Sequence, residues 1–157
     1  MIQPIRNNKN SSGSKPKRKK SNTKRNHPKY GTSKLEDYFA EQFLNKLGVK
    51  YIRQFEAKDI KRFYDFYLPD NHILIEIDGN YYHGKNLTYE EKNPMQKHNA
   101  WVDRVKDEWA LEHSIPLLRI WEDDIRNNPS EVMKTLIDKI GIASEKKRII
   151  DGKKQRH

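Results

Sequence analysis

The stretch ILIEIDGNYYHG, residues Ile73 to Gly84, has the apolar density of a buried strand, yet it carries Glu76 and Asp78 before a glycine, two tyrosines and a histidine. Side chains alternate across a strand, so Leu74, Glu76 and Asp78 point one way while Ile73, Ile75 and Ile77 point the other. Two acids therefore share a face near the strand's end. Carboxylates about 4 Å apart repel by roughly 4 kcal/mol at an effective dielectric near 20, and burial adds desolvation. A cation or a proton must offset that. Mg²⁺, or Mn²⁺ in its place, suits such a site because it takes one or two carboxylates, keeps several waters and leaves positions for a phosphate oxygen. The plainer reading is a solvated strand end in which Glu76 and Asp78 pair with Lys61 or Arg62.

The neighbours of the two acids favour chemistry. Asp65 lies between Tyr64 and Phe66 on the preceding strand, and reaches Glu76 and Asp78 if a bulge or a crossing offsets the pairing. Gly79 permits close backbone approach or an unusual dihedral. His83, five residues beyond Asp78, titrates near neutral pH and is the candidate to move a proton.

Outward from this segment, the pattern predicts helix, three strands, helix, strand, helix. Ser33 and Glu36 form a capping box, and Leu35, Tyr38, Phe39, Phe43, Leu44 and Leu47 recur at helical spacing until Gly48. Strands are predicted over Val49 to Phe55, Arg62 to Leu68 and His72 to Asp78, with a Pro69-Asp70-Asn71 turn between the last two. Asn80 to Lys97 reads as a long polar loop. A helix from about His98 to His113, a strand over Ser114 to Trp121 and a helix opened by Asn128 and Pro129 and closing at Gly141 complete the domain. Short connections make the first three strands an antiparallel meander, and the fourth returns after a helix. The fold class is α/β, with a mixed four-stranded sheet flanked by helices.

Composition places the charge. The 157 residues carry a net charge of +10 and no cysteine, which removes disulfides and thiolate zinc sites. Of the 32 basic residues eleven lie in 1–34, a stretch without an acid, leaving 21 against all 22 acidic residues in the rest. The expected organisation is a disordered basic arm over 1–31, one domain over 32–143 and a basic tail over 144–157. Lys17, Arg18, Lys19, Lys20, Lys24 and Arg25 are the candidates to sit on nucleic-acid phosphates, where each contact releases counterions; a solubilising tail is the alternative. No apolar run approaches a membrane span or a secretory signal, so a soluble, cytoplasmic protein is expected.

Together, YDFYLP and ILIEIDGNYYHG resemble the restriction-endonuclease-like, PD-(D/E)XK superfamily, whose signature is an acid on one strand and acid-x-lysine on the next. Asp65 and Glu76 fit the two acids, and Asp78 stands in the usual lysine's place. That departure is similar to the very-short-patch repair endonucleases and the homing endonucleases related to them, known by an EDxHD motif. The matching features are Glu36, Asp65, GNYYH ending at His83, Asn99 with Asp103, and LLRIWE ending at Glu122. The resemblance spans Thr32 to Ile125.

The resemblance implies a Mg²⁺-dependent endonuclease acting on double-stranded DNA as a monomer or homodimer. It implies that Asp65 binds the metal, with Glu76 beside it and a carbonyl ligand near Ile77, and that His83 activates the attacking water. Glu36, Asp103 and Asp78 would complete the catalytic set. Tyr81, Tyr82 and Trp101 could stack on bases or wedge into the duplex, as members of the repair branch are thought to do, or simply pack. Glu36 has the rival role of capping acid, and Asp103 the rival role of partner to Lys106. Without cysteine the chain cannot build the zinc site of the repair branch. Asp78 replaces a histidine of that branch, and either binds metal or orients a group that does.

Overall fold

A computed structural model of the chain describes residues 33–154. Four strands, β1 (Ile52–Ala57), β2 (Arg62–Leu68), β3 (Ile73–Asp78) and β4 (Leu117–Trp121), form one mixed sheet in the order β1-β2-β3-β4. The first three pair antiparallel, and β4 runs parallel to β3, as the connection lengths require. Helices cover both faces, giving an α/β sandwich.

The face bearing Ile73, Ile75 and Ile77 meets α1 (Lys34–Phe39), a π-helical turn (Ala40–Leu44) and α2 (Asn45–Leu47), which follow one another without a break. It also meets α5 (Glu122–Asn127) and α6 (Pro129–Lys154) through Ile125, Val132 and Leu136. The capping box of Ser33 and Glu36 starts the first helix, and Gly48 in the left-handed region at φ 65° ends it. The opposite face carries Leu74 and packs against Trp109 and Ala110 of α4 (Pro94–Glu112). All six residues of β3 are buried, the two acids included.

The β1–β2 ribbon turns over partway along. Phe66 packs in the first core, whereas Tyr64, two residues away, packs in the second. Residues two apart normally share a face. Arg53 pairs with Phe66 and Phe55 with Tyr64, so the change falls at Gln54 and Asp65, where Gln54 has φ 50°. The irregularity expected near Asp65 is therefore present, but it lies in β1–β2. The β2–β3 register is regular and ends at Phe66↔Ile75, which sets Asp65 opposite Glu76 without an offset.

Several boundaries differ from the sequence reading. The segment 80–97 is not one loop: α3 (Asn80–His83) follows the sheet directly, and α4 begins at Pro94 instead of His98. Asn93 and Gln96 form a capping box with Pro94 at the first helical position, a signal overlooked among polar residues. The acidic first turn of α5, Glu122 to Asp124, marks a helix that was not anticipated. β1 starts three residues later than expected and β4 only at Leu117. Helix α6 continues through Gly141 to Lys154, since one glycine costs a helix only about 1 kcal/mol; this puts most of the expected C-terminal tail in a helix. The arm over 1–31, with Lys17, Arg18, Lys19, Lys20, Lys24 and Arg25, lies outside the described residues. No helix among the described residues is long and apolar enough to cross a membrane.

The core role of α6 is testable through two neighbouring positions. Leu136 is fully buried and Ile137 is half-exposed. Leu136→Ala should cost about 2–5 kcal/mol in urea denaturation, and Ile137→Ala no more than about 0.5 kcal/mol.

Candidate active site

The C-terminal end of β3 gathers the predicted residues. Asp65 projects from β2 across the gap where the ladder stops, and its Oδ2 accepts the Ile77 backbone N–H at 2.7 Å. Glu76 and Asp78 stand on the α4 side of β3, as alternation requires. Lys106 of α4 donates to Glu76 Oε1 at 2.6 Å, and Arg119 of β4 donates to Asp78 Oδ1 at 3.1 Å and Oδ2 at 3.3 Å. These cations replace the expected partners Lys61 and Arg62. Neither acid is a solvated strand end: Glu76 is 5% and Asp78 3% exposed.

His83 ends α3, and Gly84 at φ 60° caps that helix. Two side chains of α4 hold the turn in place: Gln96 donates to the Tyr81 carbonyl at 2.6 Å and Asn99 to the Tyr82 carbonyl at 2.8 Å. His83 Nδ1 bonds Asp103 Oδ2 at 2.7 Å, and Nε2 faces Asp78 Oδ1 at 3.7 Å. Asp103 is thus the partner of His83, and Lys106, its expected rival partner, goes to Glu76 instead. Glu36 fills the anticipated role of capping acid. Its Oε1 closes the capping box, its Oε2 accepts from Gln54 Nε2 at 3.0 Å, and its charge acts on Asp65. Gly79 has ordinary extended dihedrals; what it spares is a Cβ that would lie 3.3 Å from the Tyr82 ring. Tyr81, Tyr82 and Trp101 are exposed, so they are not core packing.

The electrostatics follow from burial. Desolvation, reinforced by the Glu36 charge, pushes Asp65 up to about 6. Desolvation, with the Asp65 charge behind it, pushes Glu76 up to about 8 despite Lys106. Asp78 is also raised by burial, against the pull of Arg119 and His83. For His83, burial works downward, but the Asp103 hydrogen bond and the Asp78 charge outweigh it and the imidazole moves above its ordinary 6.5. Asp103 moves down because the His83 hydrogen bond and Arg119 outweigh its own desolvation.

This donor set suits a hard divalent ion. Asp65 and the buried Glu76 lie on neighbouring strands, the Asp65 charge holds back ionisation of Glu76, and the Ile77 bond engages only one oxygen of Asp65. A second group, with one ligand atom each from Asp78, His83 and Asp103, lies within 4.8 Å.

Arg119 carries no sequence expectation, and Lys106 is expected only as a partner of Asp103. Arg119 bridges Asp78, the Asp103 carbonyl and Asp107, and Lys106 neutralises Glu76. Arg119 sits in the apolar run of β4, aligned in register with Glu76, and a cation there was the available signal. Comparison of the chain with protein-family models, curated proteins and solved structures gives no match.

Asp65 and Glu76 make stability depend on pH. Their folded-state values, about 6 and about 8, lie above the ordinary 3.8 and 4.5, so the native protein holds protons that the unfolded chain releases. Stability in the absence of metal should therefore fall as pH rises from about 4 to about 8, then level off. Glu76→Gln should flatten the upper half of that fall, between about 6 and 8, in thermal melts run across pH. An unchanged slope would contradict the assignment.

Proposed function

We propose that the chain is a metal-dependent endonuclease that hydrolyses DNA phosphodiester bonds, on a restriction-endonuclease-like core of the EDxHD homing type. The observation that carries this reading is the His83–Asp103 dyad, its Nε2 facing the buried Asp78 carboxylate at 3.7 Å on the strand that also carries buried Glu76. Glu36, Asp65, His83 and Asp103 lie on four separate elements, and Asp65 and the dyad meet near the end of β3, which supports the reading.

In this reading Asp103 accepts the Nδ1 hydrogen and holds His83 in the tautomer whose Nε2 can take a proton from water. Asp65 would hold a Mg²⁺ or Mn²⁺ ion, with Glu76 and the Ile77 carbonyl beside it. Such an ion would supply charge stabilisation at the phosphate oxygens. Glu36, held by Gln54, adds negative charge near Asp65 that would attract the cation. The exposed rings of Tyr81, Tyr82 and Trp101 flank the dyad where bases of a bound duplex would pass. The basic residues of 1–31 would track the backbone beside the cut. A single unit makes one cut, so cleavage of both strands needs a homodimer or two successive nicks.

One observation favours a second reading. Glu76 and Asp78 already have protein cations, Lys106 and Arg119, as in a structural ion-pair network. A basic nucleic-acid-binding protein of that kind would bind DNA in a salt-dependent way without metal-dependent cutting. Plasmid cleavage with Mg²⁺ separates the two: the endonuclease reading expects cutting that His83→Ala lowers by about 10²–10⁴-fold and Asp65→Ala abolishes. Wild-type-like cutting by both variants would remove the site assignment, and no cutting by the unaltered chain would favour the binding protein.

The dyad also sets a pH profile. Nε2 must be unprotonated to act as base, and His83 is raised above 6.5, so cleavage should climb with pH along an acid limb above that value. Asp103→Asn removes the main upward influence and should move the limb to lower pH while lowering the plateau rate. A limb that stays in place would detach Asp103 from the proton transfer.

A further inference from the structure

We propose that His83 and Asp78 form a second metal site, selective for a borderline ion such as Zn²⁺ over Mg²⁺, and that its occupation shuts off proton transfer at His83. The inhibitory consequence rests on the nuclease reading; the binding does not.

The geometry is already close to that of a coordination sphere. His83 Nε2 and Asp78 Oδ1 are 3.7 Å apart, and two ligands at zinc bond lengths in a tetrahedron lie roughly 3.4 Å apart. The other ring nitrogen is engaged, since Nδ1 bonds Asp103 Oδ2 at 2.7 Å. That carboxylate–imidazole pairing fixes the tautomer that presents Nε2 to a metal and raises its basicity. Asp78 in turn is oriented by Arg119, whose Nη1 lies 3.1 Å from Oδ1 and leaves further lone pairs on the carboxylate. An imidazole donor selects Zn²⁺, Co²⁺ or Ni²⁺, whereas Mg²⁺ demands oxygen. The Asp65 and Glu76 pair offers oxygen alone, so the two positions sort ions by chemistry. Because Nε2 cannot bind a metal and accept a proton at once, filling this site removes the base.

The test is a Co²⁺ titration of the full chain in Mg²⁺-free buffer, followed by visible absorption and then by displacement with Zn²⁺. One tightly bound Co²⁺ per chain with the spectrum of an imidazole complex is expected, and Asp65→Asn should leave that spectrum unchanged while removing any weaker second Co²⁺ from the oxygen pair. Asp103→Asn should weaken binding about 10–100-fold, and His83→Gln and Asp78→Asn by at least as much. Imidazole ¹⁵N spectra of the unaltered chain give a reading free of folding defects, since Zn²⁺ should shift the His83 Nε2 resonance. Wild-type affinity in both His83→Gln and Asp78→Asn, or an unmoved Nε2 resonance, would overturn the proposal. Cleavage assayed alongside separates the two ideas: Mg²⁺-supported cutting that persists with Zn²⁺ bound overturns the inhibition. A chain that binds Co²⁺ as described but never cuts DNA supports the site and defeats the nuclease reading.

Discussion

The Asp65 side chain accepts the Ile77 N–H at 2.7 Å, one rung beyond the last β2–β3 pair. A carboxylate thereby does the work of a backbone carbonyl, and the two strands part without leaving that amide unsatisfied. The turn-over of β1–β2 at Gln54 and Asp65 is what frees the carboxylate for this position, since Phe66 and Tyr64 are anchored in different cores. Asp65 thereby reaches the Ile77 amide, beside Glu76 on the next strand.

Negative charge concentrated in this way has to be held by something. Lys106 and Arg119 answer Glu76 and Asp78, but Asp65 and Glu76 still hold their protons well above the usual carboxylate range. The protein thus supplies enough cation to fold and too little to ionise the pair fully at neutral pH. Breaking either internal ion pair would leave a buried charge uncompensated, which generally costs more than an intact pair contributes. The deficit is local: it sits on β2 and β3, while the His83–Asp103 dyad is supported separately by α4 through Gln96 and Asn99.

Much of this was legible in the sequence where a period or a cap carries the signal. The alternation of Ile73, Ile75 and Ile77 against Leu74, Glu76 and Asp78 placed both acids on one face, and short turns implied the meander. Spacing could not show who partners whom. Lys106 lies three residues beyond Asp103 on α4, which suggests a helical pair, yet the tertiary fold sends Lys106 to Glu76 and Asp103 to His83. Arg119 was hidden because the apolar run around it identified a strand and drew attention from its charge. Helices α3 and α5 are too short for a periodic signature, and the start of α4 depended on a capping box set among polar residues.

The site draws on β2, β3, β4, the first helix, α3 and α4, and its most distant members in sequence, Glu36 and Arg119, lie on the first helix and on β4. The partner of Glu36 is in β1 and that of Arg119 in β3, so neither can be omitted. Loops that join such remote segments close late in folding, because their entropy must be overcome before the contacts repay it. A chain released from synthesis before β4 has formed would carry all three strand acids with no arginine beside Asp78.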